Sequence, residues 1–282
     1  IDRGLPEPQS SLFAALLLGT RGGLPRPLLD AFAIAGLTHL IAISGAQITL
    51  VVNLLRGVAP YLGVSRPRAF WGISALLVGY LVLIGAPASA VRAGIMGWLL
   101  LLTYHLGRQS YPWPMFALAA AAMAWQEPRI LRDDVGFELS FAAVAGLILW
   151  QPMFERWLRR VPQRGGLRTA LAMTLAAQLM TLPLVLVRFG RLSLVAPLAN
   201  VLVVPLVAAI TAVGIGLLAA ALLLPALGWA LLLPAWGALT YLVAVAEVAS
   251  RLPYAAVAWA LPAWTLAPMY AALVGWGRKL RP

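Results

Sequence analysis

Apolar stretches near the roughly 20 residues that carry a helix across a bilayer recur along almost the whole chain, and this pattern bounds every fold open to it. The runs are continuous rather than alternating, which disfavours a transmembrane barrel. With 62% hydrophobic residues, 11% charged residues and a mean hydropathy of +0.89 over 282 residues, a water-soluble fold could not hide so much apolar surface. The expected fold class is all-α, a polytopic transmembrane helical bundle. Nine candidate spans fall at 39–55, 69–85, 89–106, 113–126, 138–152, 169–187, 198–224, 229–249 and 263–277. The fourth, fifth and last are short and suit partial or tilted crossings. Residues 1–9 read as a linker. Segments 10–18 and 27–37 are apolar but too short to span, so residues 10–37 are expected as amphipathic helices in the interface or packed on the bundle. Residues 38–282 make the transmembrane domain.

The 21 Lys and Arg outnumber the 9 Asp and Glu, and every basic residue but Lys279 is arginine. Loops 56–68, 107–112 and 153–168, with the tail after 277, hold the larger share. The alternate loops hold Arg129, Arg132, Arg188, Arg191 and Arg251. The positive-inside rule then makes the first set cytoplasmic and leaves residues 1–37 outside. Bidentate grip on phosphates is the other use of an arginine excess, but topology accounts for most of it. No cysteine is present, which excludes disulfide and thiolate chemistry. Without an initiator Met or signal peptide, the chain is expected to be a piece of something longer.

Polar side chains gather at four places where lipid could not satisfy them. The first is the stretch from Thr38 to Ile48, where His39, Ser44 and Gln47 sit with Gly45 at the mouth of a span. These groups either face protein or a water-filled path, or bond to neighbouring backbone. In the second, Gly85-Ala86-Pro87 breaks the chain, and Pro87-Ala88-Ser89 starts a helix with a proline in its first turn. Arg92 follows about one turn in, and a helix N-terminus with a guanidinium makes an anion site. The alternative is Arg92 snorkelling to the headgroups. The third runs from Asp133 to Phe141, where Glu138 and Ser140 enter a span just beyond Gly136. Glu138 either pairs with Arg92 on the same outer side or caps its own helix. Phe137 and Phe141, four apart, share a face, as core or as a base-stacking platform. The fourth includes Gln178, Thr181, Pro183, Arg188, Phe189, Arg191, Ser193, Pro197, Asn200 and Pro205. Gln178 and Asn200 either glue helices together or line an aqueous path, and the prolines there are expected to bend or break helices.

Taken in order, the four clusters resemble one family. HLIAISGAQI is similar to the HLLAISGLHI-like signature of the ComEC competence domain. GAPASAVRAGIM resembles its G-x-x-x-S-x-x-R-A segment, and DDVGFELSFAAVAGLIL resembles its DPGFQLSF signature. AAQLMTLPLVLVRFGRLSLVAPLANVLVVPLV resembles its long P-x-x-x-x-x-FG-x-x-S-x-x-x-x-x-x-N-x-x-x-x-P block. The likeness covers roughly residues 11–210. Three positions depart from it: Gln47 stands where many relatives have His, Glu138 where Gln is common, and Val135 in place of Pro. The Gln47 change argues against an obligatory His pair and leaves a polar path intact.

The resemblance implies an inner-membrane channel that passes one DNA strand into the cytoplasm during natural transformation while the other is degraded outside. Full-length members usually carry an OB-fold domain and a metallo-β-lactamase-like nuclease domain as well, and neither is expected in this fragment. It holds no His-x-His-x-Asp-His run, and His39 and His105 cannot build that metal site. No catalytic residue, metal or cofactor is therefore expected here. The implied partners are single-stranded DNA, membrane lipids, an extracytoplasmic DNA receptor and a cytoplasmic helicase or ATPase, since no GxxxxGK[ST] loop is visible. A homodimer is compatible with the chain.

A single strand carries one charge per nucleotide and flat bases, so its passage demands a polar, mildly cationic route with weak, distributed contacts. On this reading His39, Ser44, Gln47, Ser89, Arg92, Glu138, Ser140, Gln178 and Asn200 line the path. Arg92, with Arg188 or Arg191 at the outer mouth, meets phosphates. Gly45, Pro87, Gly136, Pro183, Pro197 and Pro205 supply helix breaks and gating, and Phe137, Phe141 and Phe189 stack on bases. Two other classes stay open. One is a polytopic membrane enzyme acting on a lipid-linked phosphate, with Ser44 and His39 as nucleophile and base, although residues five apart share a helical face poorly. The other is a small-solute transporter built on broken helices, against which the missing internal repeat counts.

Overall fold

The structure, a computed structural model, describes residues 5–20, 22–41, 45–107, 111–163, 166–224 and 228–279. The expected Ser44 lies outside the described residues. Among the described residues thirteen α-helices follow one another: α1 (Gln9–Leu18), α2 (Arg26–Ile34), α3 (Thr38–Ile41), α4 (Gly45–Val58), α5 (Arg66–Leu83), α6 (Ala88–His105), α7 (Pro112–Gln126), α8 (Ile130–Asp133), α9 (Val135–Trp157), α10 (Leu167–Arg188), α11 (Ala196–Leu223), α12 (Gly228–Arg251) and α13 (Leu266–Lys279). A small antiparallel ribbon, unexpected from the sequence, joins β1 (Arg191–Ser193) to β2 (Ala256–Ala258) with Leu192 opposite Val257.

Eight of the nine expected spans each overlap one α-helix, and the first, 39–55, is divided between α3 and α4, but the structure supports fewer full crossings. Among the described residues four helices are long and apolar enough to cross a membrane: Val135–Arg160, Leu167–Arg188, Ala196–Leu218 and Ala230–Arg251. For α4, α7 and α13 the shortfall is one of length, whereas α5 and α6, at 18 residues each, are long enough and fall short on apolarity, with Arg66 and Arg68 at the start of one and Arg92 within the other. α4 and α13 have 14 residues each and α7 has 15, which at 1.5 Å per residue gives about 21 to 23 Å against a hydrocarbon core of about 30 Å. Between 28% and 39% of each long span is buried inside the protein. The rest of these apolar surfaces faces outward, as lipid requires and water forbids. The chain is a helical membrane protein.

The first helices differ from an interfacial pair. α1 buries Leu12, Phe13, Ala15, Leu16 and Leu17 in the core formed with α11 and α12. Gly214 on α11 makes room for the Phe13 ring, since a Cβ there would lie 2.8 Å from it. α1 is thus covered on nearly all sides, whereas a helix in the interface keeps one apolar face for lipid. α2 is amphipathic, with Leu28, Ala31 and Phe32 buried and Arg26 and Asp30 exposed, and its inner face lies on α12.

Most of the expected breaks are helix starts. Gly45 begins α4, Pro87 immediately precedes α6 rather than lying within its first turn, Gly136 is the second residue of α9, and Pro197 sits in the first turn of α11. A missing N–H costs nothing in a first turn. Pro183 and Pro205 lie inside α10 and α11, which continue through them. They interrupt one backbone hydrogen bond without ending the helix, as spanning helices tolerate.

Five helices form a closed circuit of neighbours: α4 packs on α6, α6 on α9, α9 on α10, α10 on α11, and α11 on α4. α4 and α6 run parallel, since a Cβ on Gly97 would lie 3.2 Å from Ile48 Cγ2, and farther along Arg56 sits 4.6 Å over the Tyr104 ring. α9 and α10 run antiparallel in intimate contact. Gly146 faces the backbone of Ala176, while Glu138 meets Arg188. Every helix of this circuit carries at least one of the polar residues expected to line a path.

Candidate polar conduit in the helix circuit

Asp134 is the hinge of the first polar link. It caps α9, its Oδ1 accepting the Phe137 backbone N–H at 3.0 Å, as short acidic side chains do at helix starts. Its Oδ2 accepts from Arg92 Nη1 on α6 at 2.8 Å. The Arg92 side chain is 5% exposed and that of Asp134 29%. The guanidinium that could have gripped an outside anion is therefore already paired with a carboxylate of the same chain. Gly136 is what lets the guanidinium come so close. A Cβ there would lie 2.9 Å from Arg92 Nη2 and equally near Asp134 Oδ1. Arg92 Nε stays buried without a partner.

One turn on, Glu138 forms the second link. Its two oxygens accept from Arg188 Nη2 at 2.7 Å and Nε at 3.1 Å, a bidentate clamp between the start of α9 and the end of α10. The expected Glu138–Arg92 pair does not form, and Glu138 does not cap α9. Residues 134 and 138 are one turn apart, but each reaches a different neighbouring helix. Arg188 is therefore no bare cation at the outer mouth, while Arg191 on the ribbon is exposed.

A third link joins α4 to α11. Gln47 is buried and its Nε2 donates to Thr211 Oγ1 at 3.4 Å, while Thr211 donates to the Val207 carbonyl at 2.9 Å. Asn200 lies eleven residues before Thr211, three helical turns along the same stripe of α11. It is buried, and its Oδ1 has no hydrogen-bond partner. The end of α2 anchors this region. Gly36 has φ +72, a left-handed conformation, and packs on Ser193 and Ala196, while Ser193 Oγ donates to the Ile34 carbonyl at 2.7 Å.

The remaining expectations divide. Ser89, Ser140 and Gln178 are half-buried on α6, α9 and α10. His39 lies on the short α3 with part of its surface accessible, bonds to the Gly36 backbone, and takes no part in the three links. Phe137 and Phe141 are buried and packed on each other, with centroids 4.2 Å apart and Phe116 edge-on to Phe141. They are core rather than a stacking platform, because both are more than nine-tenths buried against aromatic neighbours. Phe189 alone of the three is exposed, at 59%. Sequence reasoning missed Asp134 and Thr211 as site residues. For Asp134 the signal was present: a short acidic residue directly before a helix. For Thr211 there was none, because a lone Thr in an apolar helix commonly satisfies itself on the preceding turn.

Comparison with known proteins gives a consistent picture. The family model described as Competence protein matches residues 16–281. ComE operon protein 3 of Bacillus subtilis (strain 168) is 27% identical over 205 residues, 71% of this chain and 25% of that protein. Competence protein ComA of Neisseria gonorrhoeae is 32% identical over 203 residues, 69% of this chain and 28% of that protein. A glycerol-3-phosphate acyltransferase of Pseudomonas syringae pv. syringae is 29% identical over 191 residues, covering 57% of this chain and 88% of that enzyme. The chain thus spans about a quarter of the length of the competence relatives it matches. No solved structure matches it.

Proposed function

This chain belongs to the competence protein family, and from that premise we propose that its five-helix circuit is the membrane passage by which single-stranded DNA enters the cytoplasm during natural transformation. The observation that carries the proposal is the closed circuit itself, stitched by polar side chains at its α4–α11, α6–α9 and α9–α10 junctions. Buried hydrophilic groups drawn from separate helices are what a travelling polyanion needs in place of water. In this arrangement Arg92 and Arg188 are each neutralised by a carboxylate. A passing phosphate would displace Asp134 or Glu138 from its arginine and then yield the place back. That exchange keeps each contact weak enough for the strand to move on.

The same reading places the chain in the bacterial inner membrane, with residues 1–37 outside and the arginine-rich loops in the cytoplasm. It makes the chain a passage and not an enzyme. Strand degradation, an outer DNA receptor and a cytoplasmic helicase or ATPase belong to other segments or other proteins.

Asn200 tests the path apart from the ion pairs. Its buried Oδ1 without a partner costs about 1 to 3 kcal/mol of folded stability. Asn200→Leu is therefore expected to raise the melting temperature in detergent while lowering transformation when placed in the full-length gene of a competent host. Higher stability with undiminished transformation would remove Asn200 from the route.

A further inference from the structure

We propose that the crevice between the end of α9 and the start of α10 is a binding site for the phosphate headgroup of an anionic phospholipid. The crevice, about 450 Å3, is lined by Glu155, Arg156, Arg159, Gln163, Arg168 and Thr169, with Pro152 at its edge. Its floor is built rather than random. Gln163 Nε2 donates to Thr169 Oγ1 at 2.8 Å, and Gln163 Oε1 accepts from Arg168 Nε at 3.1 Å, which ties the connecting loop to the first turn of α10.

The charge in the crevice is unbalanced. Among the described residues no ion pair involves Arg156, Arg159 or Arg168, and the one carboxylate present, Glu155, accepts from Gln151 at 3.1 Å. The N-terminus of the 22-residue α10 opens at the same place and adds its partial positive charge. Three guanidiniums, a hydroxyl and a helix start suit a phosphate, which arginine grips with two parallel hydrogen bonds.

The surroundings select a lipid as its carrier. Both helices are bilayer-length spans, and the crevice lies where they leave the membrane. Trp157, Leu167 and Met173 stand exposed around it, at 54%, 38% and 38%. A phosphate held by the arginines would thus sit at headgroup depth, with acyl chains running along apolar helix faces.

The test is native mass spectrometry of the full chain in detergent, offered palmitoyl-oleoyl phosphatidylglycerol and phosphatidylcholine in equal amounts. The wild-type chain is expected to retain the anionic lipid selectively. The variant Arg156→Gln/Arg159→Gln/Arg168→Gln should lose that preference by a factor on the order of one hundred, as three surface charges would give. Arg156→Lys/Arg159→Lys/Arg168→Lys keeps the charge that sets topology but not the planar fork, so it should fall between the two. It also decides the matter if the glutamine variant does not fold. Arg251→Gln, at an exposed site paired with Glu247 at 3.8 Å, should behave as wild type. Equal retention of both lipids, or an unchanged preference in the lysine and glutamine variants, overturns the proposal. So does competition by inorganic phosphate at equal concentration, which would mean a phosphate site indifferent to lipid. Displacement of the lipid by an oligothymidylate at lower concentration than by inorganic phosphate would assign the crevice to the DNA strand and overturn it too.

Discussion

Arg92→Ala in the full-length gene is expected to abolish transformation while the protein stays in the membrane at wild-type amount. The substitution removes a buried guanidinium from the α6–α9 junction and leaves Asp134, which is part exposed and still caps α9, with a tolerable environment. The fold should therefore survive. Asp134→Ala should be harder on the fold, because it leaves a nearly fully buried cation without its carboxylate and α9 without its cap. Breaking a buried pair in this way costs about 3 to 5 kcal/mol, and losing the cap adds about 1 kcal/mol. The two variants thus separate passage from folding. Membrane fractionation with immunoblotting reports the amount of protein, a detergent melt reports stability, and transformation frequency reports passage. Normal transformation with Arg92→Ala would take Arg92 off the path, and with it the phosphate exchange proposed for the circuit. Arg92→Lys refines the result. It keeps the charge but loses the second N–H and the planar fork beside Gly136, so an intermediate frequency is expected.

Much of this site was legible because lipid makes polar residues conspicuous. Arg92, Glu138, Gln178 and Asn200 stand out as hydrophilic groups in apolar runs, and each lies on a different helix of the circuit, with Ser140 beside Glu138 on α9. What no single segment encodes is the partner. Periodicity shows that Glu138 and Asp134 lie one turn apart, but not that Asp134 turns to α6 and Glu138 to α10. That choice depends on the order of helices around the circuit, a property of their mutual packing. The same blindness covers Phe137 and Phe141. An i, i+4 aromatic pair looks alike in a core and on a stacking surface, and Phe116, brought in from α7, decides for the core. The ribbon escaped notice because three-residue strands show too little alternation to be read. The structure supports fewer full crossings than there are apolar runs, because helix length is not visible in composition and because α5 and α6 carry arginines that lower their mean apolarity. Pro112 and Glu127 bound α7 at 15 residues, within a run whose composition alone suits a crossing.

Gly146 carries the other large effect. Its backbone lies so close to α10 that a Cβ would fall 2.4 Å from the Ala176 carbonyl oxygen and 3.0 Å from Met180 Cβ. Neither can swing aside, since one is helix backbone and the other is fixed to it. Gly146→Ala therefore forces α9 and α10 apart, and overpacking of this kind costs about 1 to 3 kcal/mol. Because the helices are antiparallel, the Glu138–Arg188 clamp lies eight residues from this contact on α9 and eight to twelve residues from it on α10, counted from Met180 and Ala176. A displacement at Gly146 reaches the clamp through two rigid rods, so transformation should fall along with the melting temperature. Gly146→Leu should keep the chain from accumulating. Gly72→Ala on α5 has open space around its Cβ and should be neutral, which controls for the loss of a helical glycine as such. Adding Met180→Ala to Gly146→Ala leaves the collision in place and should restore nothing, because alanine keeps the Cβ at position 180 and the Ala176 carbonyl remains. Full rescue by Met180→Ala, or a Gly146→Ala protein as stable as wild type, would mean that α9 and α10 do not meet backbone to backbone. The clamp and the circuit closed through it would then lose their support.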